Sequence, residues 1–191
     1  STWQAGVDWA TASQYVDFAI LRASFSTTTD NQFYNHANGC VANNVPFGVY
    51  VYSYAETEAE AIAEAEYVLS VVKGYDLALP IYFDFEDPSQ EGLSTSQITA
   101  IVKAFCTTIE EAGYEAGIYS FLGWFNDFFT DPYFDTLPKW VAQLYDTCTY
   151  ADGVRMWQYS WTGVIPGIDG EVDCNYYYGE FPGQSTDTSY L

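Results

Sequence analysis

Our prediction of the fold starts from the stretch Pro80-Ile-Tyr-Phe-Asp-Phe-Glu-Asp-Pro88. Its apolar residues are typical of a strand, which runs into two carboxylates and then breaks at Asp87-Pro88. Residues two apart in a strand point to the same face, so Asp84 and Glu86 project together while the two phenylalanines face the other way. Two neighbouring carboxyls at the end of an apolar strand are costly to place, and they raise the question of a functional site.

A carboxyl pair of this kind is suited to acid–base chemistry. Burial and mutual repulsion are expected to raise the pKa of one carboxyl and to leave that of the other low. The result is a proton donor beside an anion, as hydrolysis of a glycosidic bond requires. The alternative is a strand end that is acidic by coincidence, since the chain contains 26 acidic residues. On this stretch alone coincidence is the simpler explanation, so the rest of the chain has to decide.

The composition narrows the class of protein. With 191 residues the chain suits one domain and can bury a sizeable core. Its formal charge of −21, from 26 acidic against 5 basic side chains, excludes nucleic acid and disfavours a membrane surface as partners. Aromatic residues make up 19% of the chain, and rings in clefts suit the apolar C–H faces of sugars. Most of these rings are nevertheless expected in the core.

The cysteines and the single histidine do not form a metal site. The four cysteines contain no C-x-x-C pair, and His36 lies in a polar stretch expected to be a surface helix. We therefore predict neither a metal nor another cofactor. Of the three possible disulfide pairings, Cys148 with Cys174 is the one that the late strands could bring together. No stretch resembles a transmembrane helix or a signal peptide, so we expect any leader upstream of Ser1.

Strands and helices alternate along most of the chain. Strands are predicted at 18–24, 47–54, 80–86 and 115–120, and helices at 30–44, 57–72, 94–113 and 122–129. Three more strands follow without long helices between them, at 138–144, 153–160 and 170–175. Asp30 is a candidate N-cap, Ser94 opens a capping-box pattern, and the acidic run of the second helix is expected to be a solvated face. Alternation of strand and helix favours a parallel sheet covered by helices.

The strand count predicts a barrel. Seven strands are one short of a closed β/α barrel, so we predict an α/β fold, a modified TIM-like barrel with a helix-poor C-terminal part, whose first strand is missing from this chain and would precede Ser1. The barrel domain spans residues 1–179, and residues 180–191 form a polar tail. In such a barrel the chemistry gathers at the C-terminal strand ends. Polar and aromatic residues at those ends are Arg22, Tyr50, Tyr52, Asp84, Glu86, Tyr119, Trp140, Gln158, Asp173 and Asn175.

Eight segments, in this order along the chain, resemble the glycoside hydrolase family 25 lysozymes, the muramidases of bacteria and phages. Any one of them is a weak signal, but eight in register are specific. They are Ser1-Thr-Trp-Gln with Val7-Asp-Trp9, Phe18-Ala-Ile-Leu-Arg-Ala-Ser24, Phe47-Gly-Val-Tyr50, Tyr82-Phe-Asp-Phe-Glu86, Gly117-Ile-Tyr119, Trp140-Val-Ala-Gln143, Met156-Trp-Gln-Tyr-Ser160 and Gly170-Glu-Val-Asp-Cys-Asn175.

This resemblance implies an enzyme that hydrolyses the β-1,4 bond between N-acetylmuramic acid and N-acetylglucosamine in peptidoglycan. It implies Glu86 as the general acid and later the base, Asp84 as its partner, and Asp173 as a residue that lines the same site. The family motif G-[IV]-D-V-S usually supplies one more aspartate, which would lie just before Ser1. Either the sequence begins after that strand, or the protein lacks both the strand and one site carboxylate.

The remaining site residues are expected to hold the substrate or to support the carboxylates. Arg22 and Gln158 are predicted polar supports. Of two retaining mechanisms, direct attack by Asp84 and attack by the substrate's acetamido oxygen, we favour the second, because two side chains on one strand face are poorly placed to grip a bond from opposite sides. Sugar contacts, with packing inside the barrel as an equal alternative, are assigned to Tyr50, Tyr52, Tyr119 and Trp140.

Two other functions stay open. One is a catalytically silent carbohydrate-binding protein on the same fold, and the other is a barrel glycosidase that acts on another N-acetyl glycan such as chitin. For the favoured function we expect peptidoglycan glycan strands as the partner, a monomeric protein, and a secreted or wall-associated location.

Overall fold

A computed structural model, which describes residues 2–150 and 153–181, shows a curled sheet with helices on its outer side. Within these residues the hydrogen-bonded strand order is β2-β1-β3-β4-β5-β6-β7-β8. The strands are β1 Ala19–Phe25, β2 Thr28–Thr29, β3 Phe47–Tyr52, β4 Ile81–Asp84, β5 Ala116–Phe121, β6 Lys139–Ala142, β7 Val154–Gly163 and β8 Val172–Tyr177. The helices are α1 Trp9–Ala12, α2 Phe33–Ala42, α3 Glu58–Val71, α4 Thr95–Glu111 and α5 Leu122–Asp127.

The predicted α/β fold is confirmed, with a correction to its closure. Strands β1 and β3 to β7 are parallel, whereas β8 runs antiparallel to β7 and β2 antiparallel to β1. The sheet is therefore a curled half-barrel in which β7 and β8 form a hairpin. The physical reason is the connection, since residues 164–171 carry no helix and a parallel crossover needs about a dozen residues or more.

All seven predicted strands are present, with ends shifted by a few residues. The eighth strand of this sheet is β2, a two-residue strand that turns back on β1 and pairs Thr29 with Ser24. A strand before Ser1 remains a prediction. Ser1 and residues 182–191 of the predicted tail lie outside the described residues.

Local sequence signals account for most helix ends. Ser94 and Gln97 form the predicted capping box at the start of α4, and Thr57 caps α3 by accepting from the Glu60 amide. The prediction that Asp30 caps α2 is wrong, because α2 begins at Phe33 and Gln32 holds the cap position. The Asp30 carboxylate closes the turn before the helix by accepting from the Gln32 amide, and its other oxygen accepts from the Arg22 guanidinium.

The two faces of the sheet carry different cores. The outer face packs aliphatic residues and phenylalanines against α2, α3 and α4. The inner face holds a smaller aromatic cluster, in which the Trp140 ring lies 4.4 Å from the Tyr119 ring and 5.4 Å from the Tyr82 ring, centroid to centroid. Gly117 makes room for this cluster, because a Cβ added there would lie 2.6 Å from the Tyr82 ring. The alternation predicted for β4 is confirmed.

Two smaller expectations fail. All four cysteines are free thiols, so the Cys148–Cys174 pairing is absent from this structure. His36 is buried rather than exposed, and its ring meets that of Trp9 edge-on at 5.9 Å, because the short α1 helix covers that face of α2. Among the described residues, no helix has the length and apolar character needed to span a bilayer.

Candidate active site

Strand β4 delivers the two carboxyls to the inner face of the sheet. Asp84 is its last residue and is 4% exposed, and Glu86 follows two residues later, half-buried. The parallel register sets Asp84 beside Tyr52 on β3 and Tyr119 on β5, and sets Tyr119 beside Trp140 on β6. Residues paired in this way point to the same face. One row of side chains therefore crosses four strands at the mouth of the half-barrel.

Strands β7 and β8 close the other side of this row through hydrogen bonds. The Tyr119 hydroxyl donates to Gln158 Oε1 at 2.8 Å, and Trp140 Nε1 donates to Asn175 Oδ1 at 2.8 Å. The Gln158 side chain also hydrogen-bonds the Asp173 carboxylate. The hairpin thus brings Asp173, remote from Asp84 in sequence, to the same mouth.

The three carboxyls form one electrostatic cluster. Burial, then the Glu86 charge, raise the pKa of Asp84 well above its usual value, and the Arg22 guanidinium opposes that rise. Burial, then the charges of Asp173 and Asp87, raise the pKa of Glu86 to about 7. The expectation that one member of the pair keeps a low pKa is wrong, because Asp84 lies even deeper than Glu86. Glu86 therefore keeps a proton close to neutral pH.

Both members of the pair have oxygens without partners. Asp84 Oδ1 and Glu86 Oε2 are buried and accept no hydrogen bond from any described residue. Buried acceptors of this kind are costly, and native proteins satisfy the great majority of them. These two oxygens lie at the mouth of the half-barrel, on neighbouring residues of one strand face.

Arg22 acts on the pair through its charge. Its guanidinium forms an ion pair with Asp30, with both Nε and Nη2 at 2.8 Å from Oδ2, and it lies over the Phe25 ring at 5.5 Å. Its charge lowers the pKa of Asp84 although the two groups share no hydrogen bond in the structure. A polar support of the carboxylates is consistent with this arrangement.

Asp87 belongs to the site, although its position before Pro88 indicated only the end of the strand. It accepts a hydrogen bond from the Tyr52 hydroxyl at 3.1 Å and raises the pKa of Glu86. It also caps the turn Pro88–Gly92 in a capping box with Gln90. The spacing of Asp87 and Gln90 is the pattern that could have revealed this role.

The four assigned aromatic residues divide into two pairs. Tyr119 and Trp140 are buried in the inner aromatic cluster with their polar atoms paired, which favours packing for most of their surface. Tyr50 and Tyr52 are half-buried and line clefts, which favours ligand contact. The division is one of burial only, because Trp140 also lines one of the clefts and Tyr50 also packs against the inner aromatic cluster. Sugar contact stays a prediction for all four residues.

Two clefts reach the mouth. The first lies beside the short hairpin of β1 and β2, and we call it the hairpin cleft. It has a volume of about 550 Å³ and is lined by residues that include Arg22, Phe25, Thr28, Thr29, Tyr52 and Tyr54. The second, which we call the edge cleft, has about 380 Å³ and lies between β1 and β8, with Arg22, Tyr50, Trp140 and Asp173 among its lining residues. Within the described residues no group of three His, Cys, Asp or Glu side chains is arranged to hold a metal ion.

Comparison with known proteins gives a consistent result. The family model described as glycosyl hydrolases family 25 matches residues 1–168. Lysozyme M1 of Streptomyces globisporus is 30% identical over 202 residues, which cover 94% of this chain and 66% of that protein. The autolytic lysozyme of Clostridium acetobutylicum is 25% identical over 173 residues, which cover 89% of this chain and 52% of that protein.

Solved structures match the fold. The modular autolysin LytC of Streptococcus pneumoniae superposes with a TM-score of 0.82 at 25% identity, covering 90% of this chain and 43% of LytC. A structure of LytC with a synthetic peptidoglycan ligand gives the same values. A lysozyme of Streptomyces coelicolor gives a TM-score of 0.80 at 23% identity, covering 94% of this chain and 89% of that lysozyme. This chain thus spans less than half of LytC.

Proposed function

Because this chain belongs to glycosyl hydrolase family 25, we propose that it is a peptidoglycan hydrolase of the lysozyme type. Its substrate would be the β-1,4 bond between N-acetylmuramic acid and N-acetylglucosamine. The observation that carries the proposal is the pair Asp84 and Glu86, buried side by side at the mouth with an unpartnered oxygen on each. Lysozyme M1 and the LytC–peptidoglycan complex support the choice of substrate.

Glu86 is the proposed general acid. Its pKa of about 7 lets it keep a proton near neutral pH, and it is the more exposed member of the pair. It donates that proton to the glycosidic oxygen as the bond to the leaving sugar breaks. Afterwards, as a carboxylate, it takes a proton from the attacking water.

Asp84 is the proposed partner of the substrate's acetamido group. The two carboxyls leave one strand on one face, so Asp84 lies beside Glu86 rather than across the bond from it. We therefore assign the attack on the anomeric carbon to the acetamido oxygen, with Asp84 accepting from the acetamido N–H and stabilising the developing positive charge. In the protein without ligand, burial raises the pKa of Asp84 and the Arg22 guanidinium opposes that rise. The acetamido N–H, donated to the unpartnered Oδ1, would add to the effect of Arg22 and favour the ionised form that this role needs. The outcome is retention of the anomeric configuration.

The other assigned residues surround this pair. Asp173 lines the site and keeps the pKa of Glu86 high, while Gln158 links Asp173 to Tyr119. Tyr50 and Tyr52 contact the sugars from the two clefts. We further propose a monomer that acts on the cell wall from outside the cell, in keeping with its likeness to an autolytic lysozyme.

Clearing of a bacterial cell-wall suspension tests the proposal directly. The wild-type protein should clear the suspension, and Glu86→Gln, which keeps the shape of the side chain, should not. A wild-type protein that does not clear the suspension would remove the enzyme function, and equal clearing by both proteins would remove Glu86 as the general acid. Mass spectrometry of the fragments should find muramic acid at the reducing ends, and glucosamine there would reassign the bond. NMR of the first product should detect the β-anomer, and the α-anomer would exclude both retaining mechanisms.

A further inference from the structure

The hairpin cleft has the chemistry of a sugar-binding site. Three aromatic rings line it, those of Phe25, Tyr52 and Tyr54, together with the hydroxyls of Thr28 and Thr29. The Tyr52 and Tyr54 rings meet edge-on at 5.3 Å, and Tyr54 is 48% exposed. Rings bordered by hydroxyl groups match a sugar, which has apolar C–H faces and a polar rim.

The hairpin cleft adjoins the carboxylate site at Tyr52. Tyr52 lies beside Asp84 in the register of β3 and β4, and its hydroxyl bonds to Asp87. Arg22 lines both the hairpin cleft and the edge cleft. A glycan held at the carboxylates would therefore extend into the hairpin cleft along the Tyr52 side. Because the cleft adjoins the carboxylates, the occupant that fits it is a further sugar of the same glycan strand.

A buried carboxylate behind the cleft holds the wall that Tyr54 forms. Glu64 is 2% exposed on α3, and its Oε1 accepts from the Tyr54 amide at 3.2 Å. The hydroxyls of Ser53 and Ser26 lie close enough to this carboxylate to lower its pKa, against the burial that raises it, and its Oε2 has no hydrogen-bond partner among the described residues. Ser26 lies at the turn between β1 and β2 in the left-handed region, with φ of 45°, where a non-glycine residue needs support from its surroundings. Glu64 therefore links the hairpin turn to the segment that follows β3.

A second buried side chain secures the same segment from the other side. Gln90 Nε2 donates to the Ala55 carbonyl at 3.1 Å, and Gln90 Oε1 accepts from the Asp87 amide at 3.0 Å. The wall of the hairpin cleft and the loop that carries Asp87 are thus tied together through Gln90. Glu64 and Gln90 together therefore fix the position of Tyr54 relative to the loop that carries Asp87.

We propose that the hairpin cleft is a subsite for a sugar of the glycan strand beyond the residues at the scissile bond, and that Glu64 is a positioning residue that holds its Tyr54 wall. The inference rests on the proposed glycan hydrolase function. It assigns the glycan a further binding position, and it assigns Glu64 a role outside the catalytic function of Asp84 and Glu86.

Glycan length provides the first test. With peptide-free peptidoglycan glycans of increasing length, from tetrasaccharide to octasaccharide, Tyr54→Ala should lower kcat/KM for the octasaccharide roughly 3- to 10-fold, the scale of one aromatic contact, and progressively less for shorter chains. Tyr34→Ala is the matched control, because Tyr34 is also 48% exposed and lines neither cleft. A loss that is the same at every length, or no loss, would overturn the subsite.

Glu64 needs a readout that distinguishes positioning from folding. Glu64→Leu removes the acceptor and should raise KM for the octasaccharide severalfold while kcat stays within about twofold. Glu64→Gln keeps an oxygen at Oε1 and should restore KM. A Glu64→Leu protein that melts earlier with unchanged KM would show that Glu64 only stabilises the fold.

Binding to the inactive Glu86→Gln protein separates this inference from the proposed function. Calorimetry with the octasaccharide should give a weaker affinity when Tyr54→Ala is added, and the Tyr54 amide should exchange more slowly with glycan bound. If the wild type cleaves no glycan but this binding pattern holds, only the enzyme function fails. If the wild type cleaves glycans but Tyr54→Ala leaves affinity unchanged, the subsite fails. If Glu64→Leu does not fold, hydrogen exchange of the Tyr54 amide still tests whether a glycan occupies the hairpin cleft.

Discussion

Asp84 and Glu86 are placed where their ionised forms are disfavoured. Each has a pKa above its ordinary value, caused first by burial, and each has an oxygen that no described residue satisfies. A carboxyl whose pKa is raised on folding destabilises the folded state once the pH exceeds its pKa in the unfolded chain. The pair therefore costs stability at neutral pH, as expected of groups kept for chemistry.

This cost can be measured with Glu86→Gln. The amide cannot ionise, so the variant should melt several degrees above wild type at pH 8, where the unfolded carboxyl is ionised. The difference should shrink as the pH falls through about 7 and vanish below about 4, where the carboxyl is protonated in both states. Calorimetric melting at several pH values gives the answer. A difference that stays constant with pH would contradict the raised pKa.

Asp173 offers a second test of the cluster. Its charge raises the pKa of Glu86, so Asp173→Asn should move the alkaline limb of the kcat/KM profile below the wild-type position of about 7. The Glu66→Gln variant removes an exposed carboxylate of α3 and should leave the limb in place. An alkaline limb that does not move in Asp173→Asn would remove Asp173 from the cluster.

Helix phase could have predicted the burial of Glu64. The buried residues of α3 are Ala61, Glu64, Ala65, Val68 and Val71, which follow one helical face. The acidic run of α3 is typical of a solvated face, and that composition hides the one glutamate of the helix that is buried, Glu64. Its partners, by contrast, were beyond prediction, because Ser26 and Tyr54 lie in turns whose positions depend on the packed sheet.

At the scale of elements, connection length was the decisive signal for direction. Long helical connections made β3 to β6 parallel as predicted, whereas the helix-free segment 164–171 could only return as a hairpin. Local caps at α3 and α4 were predictable because donor and acceptor lie within one turn. The start of α2 was not predicted, because a turn closed by the Asp30 carboxylate and carbonyl comes before the helix begins at Phe33.

The packing of the inner face of the sheet depends on a glycine in β5. Gly117 on β5 lies against Tyr82, and a Cβ there would be 2.6 Å from the Tyr82 ring and 2.9 Å from the Pro138 carbonyl oxygen. Gly117→Ala should therefore destabilise the protein by about 1–3 kcal/mol through overpacking. Gly123→Ala is the control, because a Cβ added there meets nothing within 4 Å. Denaturant unfolding measures both, and equal stabilities would contradict this packing.

For the molecule as a whole, the order of segments along the sequence was enough to predict the fold. The mouth is built from side chains of several strands and was harder to predict. Asp84, Glu86 and the strands that hold them could be predicted because alternation and segment order are local properties. Asp173 was predicted at the same mouth, but on a parallel barrel strand, whereas in the structure the antiparallel hairpin of β7 and β8 brings it there. The hairpin cleft needed the turn between β1 and β2, where β2 has only two residues.

The charge of the whole molecule leads to a last prediction. With 26 acidic against 5 basic residues, repulsion between carboxylates opposes the compact state. Salt shortens the screening length from about 30 Å at 0.01 M to about 10 Å at 0.1 M, so the melting temperature at pH 8 should rise over that range. A variant with Glu66, Glu110 and Glu111 changed to Gln removes exposed charges outside both clefts and should rise less. A melting temperature that falls with added NaCl would mean that favourable ion pairs, such as Arg22 with Asp30, outweigh the repulsion.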